Sequence, residues 1–365
     1  MKTSHEQSDR RTFLKTVAAT GAGLALAKGA PSLAAETAPA TRKTPLGFDN
    51  FSVRAMGWKA PQLIDYAASL KLDSLFLTDL DVYESFDAGY LGDLRKKAAD
   101  QGLFIYAGSW SICPTSTKFK DKWGTAEEHL ALGIRVAKAV GSPVFRCILG
   151  MGDDRATPGG IEARMADTAK VCKSARSQAL DAGVKIAIEN HAGDMQAWEI
   201  AALCEEAGKE YVGITFDTGN STWAMEDPAA MLEILHPYIA ASALRDSMVW
   251  QDPGGATVQW TTMGDGVIDY KTFVPRFLEL CPTVPVNVEV ISGFPRHIPF
   301  YKKEFWNNWP KARAKDFAPF ERLTRLGKEI PPHHSPNPPA EQEYQKKGLE
   351  DSLTYCKQAL GLGLK

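Results

Sequence analysis

Four short runs share one pattern: an apolar core that ends in a polar tip. They are Val184-Lys-Ile-Ala-Ile-Glu-Asn-His191, Val212-Gly-Ile-Thr-Phe-Asp-Thr-Gly-Asn220, Ala240-Ala-Ser-Ala-Leu-Arg-Asp246 and Val286-Asn-Val-Glu-Val290. Short apolar runs rich in β-branched residues read as strands buried on both faces, the pattern of parallel sheets. The same reading along the chain predicts eight strands: Leu46–Asn50, Ser74–Thr78, Leu103–Ser109, Val144–Leu149, Lys185–Asn190, Val212–Asp217, Ala240–Arg245 and Val286–Ile291. Helical periodicity fills the gaps at Ala60–Leu70, Tyr90–Gln101, Thr125–Val140, Gly160–Ala182, Ala197–Glu206, Ala229–Leu235 and Lys271–Leu280. Asp227-Pro228 and Asp269 read as helix starts. Eight strands alternating with helices predict an α/β fold of the (β/α)8 barrel type. A doubly wound sheet is the second choice, since such sheets usually have fewer strands.

The alternation stops after the eighth strand. Residues 293–339 carry Phe294-Pro-Arg-His-Ile-Pro-Phe-Tyr301 and Phe305-Trp-Asn-Asn-Trp-Pro310, and a final helix is expected from Glu341 to Leu360. A connection that long is seldom idle. It leaves from the C-terminal ends of the strands, so it is expected to cap the pocket or to form a contact between copies of the chain.

Composition narrows the function. A net charge of -2 offers no field for nucleic acid or an anionic membrane. The six cysteines form no CxxC pair, and most fall in apolar element patterns, so buried free thiols are expected. Near the N-terminus, Ser8-Asp-Arg-Arg-Thr-Phe-Leu-Lys15 precedes a mild apolar stretch from Thr16 to Ala27, and Ser32-Leu33-Ala34 offers a small-residue cleavage site. The stretch is too short and too broken by glycine to span a bilayer. It resembles a twin-arginine export signal. The expected organisation is a signal over 1–35, a linker over 36–45 and one barrel domain over 46–365. The expected location is periplasmic or extracellular, with the twin-arginine translocation machinery as a partner and no stable membrane anchor.

Candidate chemistry lies at the strand tips, because the C-terminal face of a βα barrel carries its site. Alternation along each strand sorts the side chains. It directs Glu189, His191, Asp217, Ala243, Arg245 and Glu289 inward. Three carboxylates converging at one mouth repel each other unless a positive charge sits among them, and a divalent metal is the usual answer. Trp110, Trp223 and Trp250 lie just past strand ends, where aromatic faces suit sugar C–H surfaces. Asn220 is a candidate support for the site or a turn residue. Gly264-Asp-Gly266 reads as a turn.

The order Ile188-Glu-Asn-His191, Phe216-Asp-Thr-Gly-Asn220, Leu244-Arg-Asp246, Gly264-Asp-Gly-Val-Ile-Asp-Tyr270 and Val288-Glu289 resembles the xylose-isomerase-like TIM barrels. That resemblance implies a sugar isomerase or epimerase. It implies one divalent ion (Mn, Mg, Co or Zn) held by Glu189, Asp217 and Glu289. It assigns acid/base work to Glu189 and Glu289. The pattern departs at one place: the strand that usually reads His-x-Lys-Asp is here Ala243-Leu-Arg-Asp246, so the imidazole ligand is missing. His191 is a candidate replacement donor, and Arg245 an alternative source of positive charge. AP-endonuclease-type chemistry is excluded by the scarcity of histidine.

The chemistry implied is proton abstraction next to a carbonyl, with a carboxylate as base and a cation stabilising the enediolate. Glu189, Glu289, His191 and Arg245 are the expected catalytic residues, and Trp110, Asn220 and Trp223 the expected substrate contacts. The alternatives are a lyase acting on an oxidised glycoside or inosose-like substrate, and a barrel that binds carbohydrate without turnover.

Overall fold

The computed structural model describes residues 44–365. The expected export signal and most of the expected linker lie outside the described residues. Eight parallel strands form the barrel: β1 (Leu46–Asp49), β2 (Ser74–Leu77), β3 (Phe104–Ser111), β4 (Val144–Ile148), β5 (Lys185–Glu189), β6 (Val212–Asp217), β7 (Ile239–Ala243) and, later in the chain, β10 (Val286–Val288). Each pairs with the next, and β10 pairs with β1. A bridge between Leu244 and Val288 brings β7 and β10 together and closes the ring. The expected (β/α)8 barrel is what forms.

The local chemistry explains the boundaries. Thr125 and Glu128 form a reciprocal capping box at the start of the helix Ala126–Val140, and Gly141, at φ 79°, ends it. Asp227 caps the helix Pro228–Leu235, with proline in its first turn. The run expected as one helix over 160–182 is two, Gly160–Ser174 and Arg176–Ala182. Inside the barrel, Phe76, Tyr106, Val144, Ala187 and Ala241 pack as an apolar layer. All six cysteines are buried and free.

One feature of the fold is absent from the sequence reading. After β7 the chain makes a hairpin, β8 (Asp246–Asp252) and β9 (Gly255–Thr261), and β11 (Pro295–Ile298) adds to it antiparallel to β9. The remainder of the 293–339 segment packs against this small sheet through Phe300, Trp309, Phe320 and Leu323, with the helix Ala314–Thr324 as its main element. A second apolar cluster therefore stands above the barrel core. It reaches the strand tips through Trp260 and Ile291, which also line the cavity there.

Candidate functional site

A cavity of ≈ 570 Å³ opens over the C-terminal face of the barrel. Its walls carry Phe51, Trp110, Trp123, Trp223, Trp260 and Phe294, interleaved with charged side chains that include Arg54, Asp79, Asp81, Lys120 and Lys122. Trp223 stacks on Trp260 with ring centroids 3.9 Å apart, and Phe294 meets both edge-on. Trp110 meets the His191 ring edge-on at 5.5 Å. Trp250 instead sits within β8, and Trp260 and Trp123 contribute to the wall.

At the barrel end of the cavity the expected carboxylates converge. Glu189, Asp217 and Glu289 are buried, and each offers an oxygen within 4.8 Å of the others. Two buried arginines bind them. One Arg245 nitrogen, Nη2, contacts both Asp217 and Glu289. Arg146 donates from Nε to Glu189 at 2.5 Å and from Nη1 to the Ser109 carbonyl at 2.7 Å. The Asn220 amide donates to Glu189 at 3.1 Å and to Asp217 at 2.7 Å, while its oxygen accepts from the Ala192 amide at 2.9 Å. Ala192 itself has φ 45°, a conformation few non-glycine residues adopt, so Asn220 also pins the turn after His191.

Two glycines make room for the two arginines. A Cβ at Gly108 would lie 2.8 Å from Arg146 Cβ, and one at Gly219 would overlap the Arg245 stem. Trp260 covers the Arg245 guanidinium at 4.3 Å and donates its indole N–H to the Gly219 carbonyl at 2.9 Å. The Arg245 backbone is fixed by Thr218, and Tyr270 donates to its carbonyl at 2.8 Å. The guanidinium is thus part of the packed floor of the site. Its Nη1 has no protein acceptor among the described residues, and Arg245 lines the cavity.

Electrostatics separate the carboxylates. Burial alone would raise the Glu189 pKa, but Arg146, His191 and Arg245 together outweigh it and hold the carboxyl below its ordinary value. Burial pushes Asp217 up to about 8; Arg245 opposes this and its acidic neighbours add to it. Glu289 is also raised, by burial, against the pull of Arg245. Asp49, at the tip of β1, is raised by burial and by Glu289, and it accepts the Thr78 hydroxyl at 2.6 Å. His191 is pushed down to about 4 by burial. Its Nδ1 lies 2.7 Å from the Gly150 carbonyl, so Nδ1 carries the proton and Nε2 is the lone-pair nitrogen.

The expected residues divide by position. Glu289, Arg245, His191, Trp110 and Trp223 line the cavity. Glu189, Asp217 and Asn220 lie behind them in the buried network and do not line it. Arg146 and Asp49 were missed. Each had a signal, a charge set inside or at the tip of an apolar strand run: Phe145-Arg-Cys147 and Phe48-Asp-Asn50.

A family model of xylose isomerase-like TIM barrels matches residues 64–297. The chain is 26% identical over 98 residues to the uncharacterized protein YihM of Escherichia coli K12, a stretch that is 27% of this chain and 30% of that one. The chain therefore spans about a third of the length of that relative. Among solved structures, a D-psicose 3-epimerase studied in the presence of D-fructose superposes with TM-score 0.56 at 14% identity, covering 87% of this chain and 99% of that one. A xylose isomerase domain protein from Planctomyces limnophilus gives 0.54 at 15% identity, over 68% and 91%. An L-ribulose 3-epimerase gives 0.52 at 16%, over 87% and 98%. These likenesses are of fold. With the matched span covering more than half of its length, the chain belongs to the xylose isomerase-like TIM barrel family.

Proposed function

We propose that this protein is a sugar isomerase or epimerase that enolises a keto-sugar. The observation that carries the reading is the meeting of Glu289 and Arg245 at the cavity face of a buried network, of which Arg146 also lines the cavity. A carboxylate and a guanidinium side by side are what proton abstraction next to a carbonyl requires: a base for the C–H and a cation for the oxygen. The aromatic walls suit the C–H faces of a sugar. The fold neighbours that are epimerases act on ketoses by their printed names, which supports the substrate class.

The roles follow from position. Glu289 takes the proton from the carbon beside the carbonyl. Arg245 holds the oxygen that gains charge. His191, neutral and with Nε2 toward the cavity, takes or gives a hydroxyl proton. Glu189 and Asp217 hold the arginines and do not touch substrate. Trp110 and Trp223 bound the sugar.

The donor set is already committed to partners other than the divalent ion implied by the resemblance. Asp217 and Glu289 already share an Arg245 nitrogen, Glu189 is held by Arg146, and Asn220 spans Glu189 and Asp217. The position equivalent to the usual imidazole is Ala243, fully buried. A metal needs several free oxygens directed at one point; here those oxygens are directed at nitrogen donors. The residues do not fit a metal, and no step is assigned to one.

A second reading, elimination from an oxidised glycoside, is supported by the size of the cavity, which lies in the range that takes ligands larger than one sugar ring. The first half-reaction is the same. We also propose that the protein acts outside the cytoplasm, on the strength of the Arg10-Arg11 signal pattern. Incubation of a keto-hexose panel in D₂O tests the function: deuterium should enter at the carbon next to the carbonyl. A chain that binds these sugars and exchanges no proton is a carbohydrate-binding barrel.

A further inference from the structure

We infer that the Arg245 guanidinium occupies the place a catalytic metal would take and is itself the electrophile, so that this site works without a metal ion. The inference rests on the enolisation reading for its chemistry, but its structural part stands alone.

Four independent features fit the position to an arginine. Its Nη2 reaches two carboxylates from two different barrel strands. Gly219 lacks the Cβ that would overlap the arginine stem. Trp260 lies over the guanidinium plane, and its own indole N–H is tied to Gly219. Thr218 and Tyr270 fix the backbone from which the side chain leaves. A surface arginine that had drifted into a vacant metal site would have no such seat.

The charges of the cluster are already met by nitrogen: Glu189 is held by Arg146, Asp217 and Glu289 by Arg245, and Asp49 lies beside Arg146 and Glu289.

The proton transfer balances on these groups. Glu289 accepts the proton from the carbon next to the carbonyl, the C–H electron pair forms the carbon–carbon double bond, and the carbonyl oxygen becomes an enediolate oxyanion. The negative charge moves from the Glu289 carboxylate to that oxygen. Arg245 already faces Glu289, so its Nη1 hydrogens receive the new charge while Nη2 releases the old one. Glu289 then returns the proton to the former carbonyl carbon, while His191 Nε2 takes the proton of the neighbouring hydroxyl and passes it to the enediolate oxygen, so that the carbonyl forms on the adjacent carbon and the cycle closes with no other reactant.

The test uses the full chain. Metal content is measured after equilibration with Mn²⁺ and removal of free ion, and deuterium entry into keto-hexoses is measured with and without EDTA. The inference expects substoichiometric metal and exchange that EDTA leaves unchanged. Arg245→Met should lose about 10²–10³-fold in exchange, as when a preorganised donor is removed. The double variant Ala243→His/Arg245→Lys, which restores the usual ligand pattern, should gain Mn²⁺. If Arg245 variants do not fold, Ala243→His alone decides: with Arg245 in place it should still bind no Mn²⁺. Stoichiometric Mn²⁺ in the wild type, or exchange lost to EDTA, overturns the inference. If no keto-sugar exchanges in the wild type, the enolisation reading fails and the electrophile role with it; the Mn²⁺ measurement then still decides what occupies the cation position.

Discussion

Gly219 lies against the stem of Arg245 so closely that any Cβ at position 219 would overlap the arginine Cγ and Cδ. The two residues come from consecutive strand ends, one after β6 and one after β7. Gly219→Ala should therefore displace the guanidinium from Asp217 and Glu289. The expected outcome is a loss of about 10²-fold in proton exchange, the scale of an ångström-sized misplacement, with about 1–3 kcal/mol of overpacking cost. Exchange kinetics and thermal melts check the two effects separately.

Glu289 and Glu189 should respond differently to the same substitution. Glu289 lines the cavity, so Glu289→Gln should lower exchange by about 10²–10⁴-fold and leave sugar binding in place. Glu189 is sealed behind Arg146. Glu189→Gln removes one charge of a buried pair and should cost about 3–5 kcal/mol of stability. Denaturant melts and single-turnover exchange, run on both variants, distinguish the roles. Equal stability losses with equal rate losses would place both carboxylates in one role.

His191 should stay neutral across the physiological range. Burial holds its pKa near 4, so its ring resonances should not titrate between pH 5.5 and 8, and exchange should show no acid limb from this residue near 6.5, the usual histidine value. An NMR titration of the ring protons checks this.

Glu226 links stability to pH at a distance from the cavity. It is fully buried, it accepts the Ala197 amide at 2.8 Å, and burial raises its pKa from 4.5 to about 8, with Asp316 and Glu199 adding to the rise. Below pH 4.5 the group is protonated whether the chain is folded or not. Between the two values the folded chain keeps a proton that the unfolded chain has lost, so stability falls as pH rises toward 8. Glu226→Gln should flatten that slope, with a gain on the order of a few kcal/mol at the upper end. Denaturant midpoints at pH 5 and pH 8 measure it.

The barrel was legible because each strand had one short apolar run with one polar tip, and each connection had helical periodicity. The carboxylates were legible for the same reason: strand alternation gives the direction of Glu189, Asp217 and Glu289. The hairpin Asp246–Thr261 was not read. Its turn signal, Asp252-Pro-Gly-Gly255, is present in the sequence. Its strands, though, mix polar and aromatic residues, because one face meets the cluster of Val249, Val258 and Trp260 and the other does not. Arg146 escaped because a lone arginine in an apolar strand gives no hint of the partner that neutralises it. That partner lies 43 residues away. The helix Ala314–Thr324 was hidden by its internal Pro319.

The small sheet over the site ties its cover to its floor. β11 follows β10, the strand that closes the barrel, along the chain, and Glu289 lies between the two. The wall that carries Trp260 is therefore joined from β9 and a strand that lies beyond the last barrel strand. A chain cut before Pro285 would lose Glu289 and the third strand together, so the carboxylate at the cavity face and the sheet that walls it are kept or lost as one.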